Sequence, residues 1–184
     1  MRPTRAALFL AAAVALAPGE AHAQRFGQPP RAGSPQEGGW APAWAGFRGG
    51  WDYEATAPVI GIQLRVPAIP SGRLEVVPTA DVTFLDGLRE YQAGVDAILV
   101  SGGRRGGVYV GGGLAWRNSV YTVGNDRETR RAPVVVVGAR TGAMMGAPFG
   151  TQVEMRWVRL DGPYDPRILS LGVNFPLWGR GRGR

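Results

Sequence analysis

From Trp44 onward, apolar and polar residues take turns along the chain. In the last such stretch Leu169, Leu171, Val173, Phe175 and Leu177 share one parity, and Ser170, Gly172 and Asn174 share the other. A period of two is the pattern of a β-strand whose two faces meet different surroundings. The same alternation, interrupted by turn residues, predicts eight strands. Pro and Gly recur too often for long helices, and the 3.6-residue period is absent.

The first strand is expected over Trp44–Glu54. Trp44, Phe47, Trp51 and Tyr53 are its bulky residues, and Gly46, Arg48, Gly50, Asp52 and Glu54 form the opposite face. The second, Val59–Val66, sets Ile60, Ile62, Leu64 and Val66 against Gly61, Gln63 and Arg65. The third, Arg73–Leu85, sets Leu74, Val76, Ala80, Val82 and Phe84 against Glu75, Val77, Thr79, Asp81 and Thr83. It carries Pro78, which removes a ladder donor. The fourth, Leu88–Val100, opposes Tyr91, Ala93, Val95, Ala97 and Leu99 to Gln92, Gly94 and Asp96. The fifth opposes Val108, Val110, Leu114 and Trp116 to Tyr109, Gly111, Gly113, Ala115 and Arg117. A longer polar connection is expected from Ser119 to Arg131. The sixth strand, Pro133–Gly142, alternates least well, with Gly138, Arg140 and Gly142 as its polar side. The seventh opposes Val153, Met155 and Trp157 to Gln152, Glu154 and Arg156, and the stretch described first is the eighth.

Two barrels fit such a pattern. A soluble lipocalin-like barrel keeps its apolar face inside, and a membrane barrel turns it out to lipid. Three features favour the membrane. The polar face carries Arg48, Arg65, Arg117, Arg140 and Arg156 against Asp52, Glu54, Glu75, Asp81, Asp96 and Glu154, close to the neutrality that a packed interior requires. That face is also rich in glycine, which makes room for long charged side chains in a narrow lumen. Finally, the aromatics fall into two bands around an aliphatic belt. Tyr53, Phe84, Tyr91, Trp116 and Trp157 are expected at one rim, and Trp44, Phe47, Phe149, Phe175 and Trp178 at the other. The expected fold is therefore all-β, an eight-stranded antiparallel up-and-down transmembrane β-barrel over residues 44–178.

The start of the chain reads as an export signal. Arg2 and Arg5 precede the apolar stretch Leu8–Leu16, and Ala21-His22-Ala23 is a small-x-small cleavage site, so residues 1–23 are expected to be removed. The apolar run is too short to span a membrane as a helix. Residues 24–43, rich in Gly and Pro, read as a flexible lead-in, and residues 179–184 as a Gly/Arg tail. The chain has no cysteine, and its one histidine, His22, leaves with the signal. The commonest general base, metal ligands and thiol chemistry leave with them. The formal charge of +7 comes from arginine alone, but it is dispersed over an exported chain, so no nucleic-acid partner is expected.

The signal, the strand count, the alternation and the final strand Leu169-Ser170-Leu171-Gly172-Val173-Asn174-Phe175 resemble the small eight-stranded outer-membrane barrel families of Gram-negative-type bacteria, such as the OmpA-type barrel domain. The resemblance implies residence in the bacterial outer membrane, contact with its lipid, and recognition of Leu169–Trp178 by the barrel-insertion machinery. Members usually end on an aromatic residue. This chain departs from that pattern, because Gly179–Arg184 follow Trp178.

Catalysis finds little support. Gly106–Gly113 lacks the Lys-Ser/Thr of a phosphate loop, and no helix follows it. Lipid-modifying barrels of this size rely on histidines that the mature chain lacks. Asp126, Glu128, Asp161 and Asp165 suggest a hard-cation site, but Arg127, Arg130 and Arg131 stand among them. No cofactor or metal is expected. The leading expectation is a non-enzymatic barrel with a charge-paired lumen and a structural or interaction role. The lumen charges are the candidate binding residues, and Ser119–Arg131 is the candidate contact with an extracellular partner. The alternatives are a narrow conduit or small-ligand barrel, and a soluble periplasmic lipocalin-like binder.

Overall fold

A computed structural model describes residues 40–102, 106–121, 127–142, 148–160 and 165–177. The expected signal, most of the lead-in, Trp178 and the Gly/Arg tail lie outside them. Eight strands follow in chain order: β1 (Trp44–Asp52), β2 (Ala57–Pro67), β3 (Leu74–Leu85), β4 (Leu88–Val100), β5 (Gly106–Tyr121), β6 (Arg127–Thr141), β7 (Gly150–Val158) and β8 (Arg167–Pro176). Each pairs antiparallel with its chain neighbours, and β8 closes on β1, giving an up-and-down barrel. Closure matters physically. It leaves no edge strand with a row of unpaired N–H and C=O groups.

Local sequence sets the turns. Asp86-Gly87 joins β3 to β4 in two residues, with Gly87 at φ +71° and Leu85 paired to Leu88. Asp-Gly is favoured in a tight hairpin whose backbone must enter the left-handed region. The β1–β2 turn is held by Asp52. Its Oδ1 accepts the backbone N–H groups of Glu54 (3.1 Å) and Ala55 (3.3 Å).

Three expectations are corrected. First, β1 ends at Asp52, so Glu54 lies in the turn, exposed, beside Arg167 at 3.3 Å. Second, the long connection at Ser119–Arg131 is mostly strand. Ser119 pairs with Glu128 and Trp116 with Arg131, because β5 and β6 run on past the last alternating apolar residue. Third, Trp44 does not belong to an outer aromatic band. It shares the parity of Gly46 and Arg48, and it is buried. Pro78 leaves a local mark. The β2–β3 register runs through Gln63–Thr79 and resumes at Val66–Val76, while the β3–β4 register is continuous across Pro78.

The faces segregate as the alternation demands. Ile60, Ile62, Leu99, Val110, Leu114, Val135 and Leu171 are more than half exposed on the outer wall. Inside, a polar column shares the lumen with an apolar cluster of Val77, Ile98, Val100, Tyr109, Ala115, Ala132, Val134, Val136, Val158 and Leu160. Val134 and Val136 thus share the inward face of β6 with Gly138 and Arg140. The run of four valines, Val134–Val137, carries no polarity contrast from which that face could be read.

Candidate functional site

Ten of the eleven charged residues expected in the lumen line it, and all but Arg140 are buried. Burial of an ion is affordable only with a partner, and each finds one across the barrel. Arg48 on β1 donates to both carboxylate oxygens of Asp81 on β3, Nε at 2.8 Å and Nη2 at 2.5 Å. Its remaining nitrogen, Nη1, reaches Glu154 Oε1 on β7 at 2.8 Å. Arg156, also on β7, crosses to Asp96 Oδ2 on β4 at 2.7 Å and touches Glu154 Oε1 at 3.1 Å.

Glu154 is the centre of this network. Its second oxygen accepts the Tyr109 hydroxyl at 2.8 Å and lies 3.8 Å from Arg65 Nη2. Arg65 in turn stacks over the Tyr109 ring at 4.8 Å, donates to Gln152 Oε1 at 2.7 Å and pairs with Glu75 at 3.3 Å. The other Glu75 oxygen holds Arg140 at 2.5 Å. An amide cluster lies beside it, where Gln63 Nε2 donates to Asn174 Oδ1 at 2.6 Å and to Gln152 Oε1 at 2.7 Å. Nearer the end away from the termini, Arg117 pairs with Glu90 and lies 3.7 Å from Asp52.

Glu90 is the residue that sequence reasoning missed. It takes the place expected for Glu54, and the lumen keeps its count of acids. Its signal was parity, since it lies two residues before Gln92 on the inward face of β4. Tyr109, Gln63 and Gln152 were legible on the polar face, but nothing in their spacing told that they would join the charge network.

The glycines act as floor for these side chains. A Cβ on Gly61 would strike the Asp81 carboxylate, one on Gly113 the Asp96 carboxylate, and one on Gly138 the Tyr109 ring. Outward Gly49, in contrast, has nothing within 4 Å of that position. The small inward residues therefore let long ones lie across the lumen. A cavity of about 10 Å³ lies among Arg48, Gly50, Asp81, Arg156 and Ser170, room for about one water.

An eight-stranded closed wall with a charged interior and an apolar exterior can now be set beside known proteins. No protein-family model and no curated protein sequence matches the chain. Solved structures do. The N-terminal β-barrel domain of Pseudomonas aeruginosa OprF aligns at a TM-score of 0.60 with 16% identity, covering 74% of this chain and 98% of that one. The chain shares the fold of that barrel domain. Neisserial surface protein A aligns at 0.57 with 13% identity, over 73% of this chain and 96% of its own. Ail, the attachment invasion locus protein of Yersinia pestis, solved with the heparin analogue sucrose octasulfate, aligns at 0.51 with 10% identity, over 73% and 96%. At these identities the likeness is one of fold.

Proposed function

We propose that the chain is an integral outer-membrane barrel with a plugged lumen and a structural or interaction role, without enzymatic chemistry. The observation that carries this reading is the inverted distribution of polarity. Arg65, Arg156, Asp52 and Asp96 are among the most deeply buried side chains, while Phe47, Ile60, Leu99 and Leu171 stand more than half exposed. In water this arrangement would expose a continuous apolar wall, far beyond the patches that soluble monomers carry. In a bilayer the same wall meets hydrocarbon, and the charges are paired away from it.

Aromatic placement supports the same reading. Trp51, Phe84, Tyr91 and Trp116 are exposed toward the end away from the termini, and Phe47, Phe149 and Phe175 toward the other end. A soluble lipocalin-like binder needs an apolar interior cavity, whereas this interior is crossed by five arginines. A conduit needs a continuous path, whereas Arg48 ties Asp81 on β3 to Glu154 on β7 and Arg156 reaches Asp96 on β4, so side chains span the mid-lumen.

The test is fractionation of cells that express the full chain. The protein is expected in the outer-membrane fraction, extractable only by detergent, with a folded band whose gel mobility changes on boiling. Recovery as a soluble periplasmic monomer would overturn the reading.

A further inference from the structure

Among the described residues on or beside β6, β7 and β8, Arg131, Arg159 and Arg167 stand on the outer wall, outside the lumen network, while Arg89 faces outward on β4. Arg131 on β6 is exposed beside buried Ala132 and lies opposite Trp116 of β5. Arg159 follows β7, exposed between buried Val158 and Leu160, and its N–H donates to the Pro133 carbonyl at 3.0 Å. Arg167 opens β8, exposed between buried Pro166 and Ile168, and pairs in register with Trp157. A buried neighbour beside each, Ala132, Val158 or Ile168, places the arginine on the opposite, outward face.

The register makes them neighbours. Arg159 sits across from Pro133, two residues along β6 from Arg131. It is also two residues along β7 from Trp157, the register mate of Arg167. Both steps are cross-strand diagonals, about 7–8 Å, within reach of long side chains. Like charges gathered this way repel unless an anion joins them. Two acids stand near them among the described residues: Glu54 lies 3.3 Å from Arg167, both substantially exposed, and Asp165 is exposed two residues before Arg167. Asp165 Oδ1 also accepts the Leu160 N–H at 2.9 Å, and Glu128 pairs with Arg130 at 2.7 Å, so the three arginines outnumber the acids beside them.

We infer that Arg131, Arg159 and Arg167, framed by Trp116 and Trp157, form a seat for phosphate-bearing lipid headgroups at the membrane surface. The cluster is at the level where the apolar wall ends. Guanidinium forks match phosphate oxygens two at a time, and indole rings favour that same interfacial depth. The arginines project sideways from the wall, among lipid, so the occupant is a lipid and not a soluble polyanion. This inference rests on the membrane reading proposed above.

The experiment reconstitutes the full chain in phosphatidylcholine vesicles and compares association of spin-labelled phosphatidic acid with that of spin-labelled phosphatidylcholine. Phosphatidic acid is expected to be preferred. Each change among Arg131→Gln, Arg159→Gln and Arg167→Gln is expected to lower the preference roughly fivefold. Arg73→Gln, at an exposed arginine of the opposite end, is expected to leave it unchanged. Three separate variants keep the test usable if one of them fails to fold. No preference in the native chain, or a preference untouched by the three changes, overturns the seat while leaving the barrel intact. Equally tight binding of soluble dextran sulfate in detergent, lost with the same arginines, overturns the choice of lipid. Failure of the native chain to enter vesicles at all strikes the membrane reading, and the seat falls with it.

Discussion

Glu154 carries more of the lumen than any other single residue, because Arg48, Arg156, Arg65 and Tyr109 all converge on its two oxygens. Without Glu154 the three arginines keep Asp81, Asp96 and Glu75, but several buried donors lose their acceptor, which costs about 1–3 kcal/mol. Glu154→Ala is expected to lose at least that much in urea unfolding from vesicles. Glu54→Ala, at the exposed turn pair with Arg167, is expected to change stability by less than about 1 kcal/mol. Equal effects in the two variants would contradict the lumen assignment. Glycine offers a second contrast. In Gly61→Val the new Cβ meets the Asp81 side chain and sits 2.7 Å from the Ala80 carbonyl oxygen, so a loss of about 1–3 kcal/mol is expected. Gly49→Val, on the open outer side, is expected to cost nothing and to favour the strand. Parity alone could place both glycines on their faces. It could not reveal which side chain lies across Gly61, because Asp81 belongs to another strand.

At the scale of the strand, Pro78 divides β3 into two unequal partnerships. Its β4 side is paired throughout, through Pro78–Val95, while its β2 side lacks pairing between Gln63–Thr79 and Val66–Val76. Amide exchange is expected to be faster at Leu64 and Arg65 than at Val95 and Asp96, read residue by residue by NMR in detergent. Uniform protection across β2 and β4 would show that the ladder closes around the proline. The flaw was legible in the sequence, since proline lacks the N–H wherever it sits. The lengths of β5 and β6 were not. Ser119–Arg131 is polar, and polarity there suggested a loop, yet Ser119–Glu128 and Trp116–Arg131 pair as strand. Backbone pairing continues above the apolar belt because a polar residue on either face of a strand meets water there at no cost.

For the molecule as a whole, the crossing of the lumen by side chains from opposite walls predicts an electrically quiet barrel. Reconstituted in a planar bilayer, the native chain is expected to show no stable open level, and Arg48→Ala with Arg156→Ala is expected to raise conductance by clearing the mid-lumen bridges. A steady open level in the native chain would contradict the plug. The sequence by itself determined which residues share a face, because alternation is a local property of the extended backbone. That was enough to count the strands, to find the charges on the face opposite the aliphatic belt, and to predict a closed barrel. Tertiary structure alone decided the partnerships. Closure brings β1 and β7 within reach of each other, so Arg48 can meet Glu154 across 106 residues of chain. It also decided where alternation stops, which put Glu54 outside and left Glu90 to face Arg117. It chose the inward members of the uniform run Val134–Val137, turned Trp44 into the barrel, and gathered Arg131, Arg159 and Arg167 on one wall. Each of these depends on register between strands, a long-range quantity that no local pattern encodes.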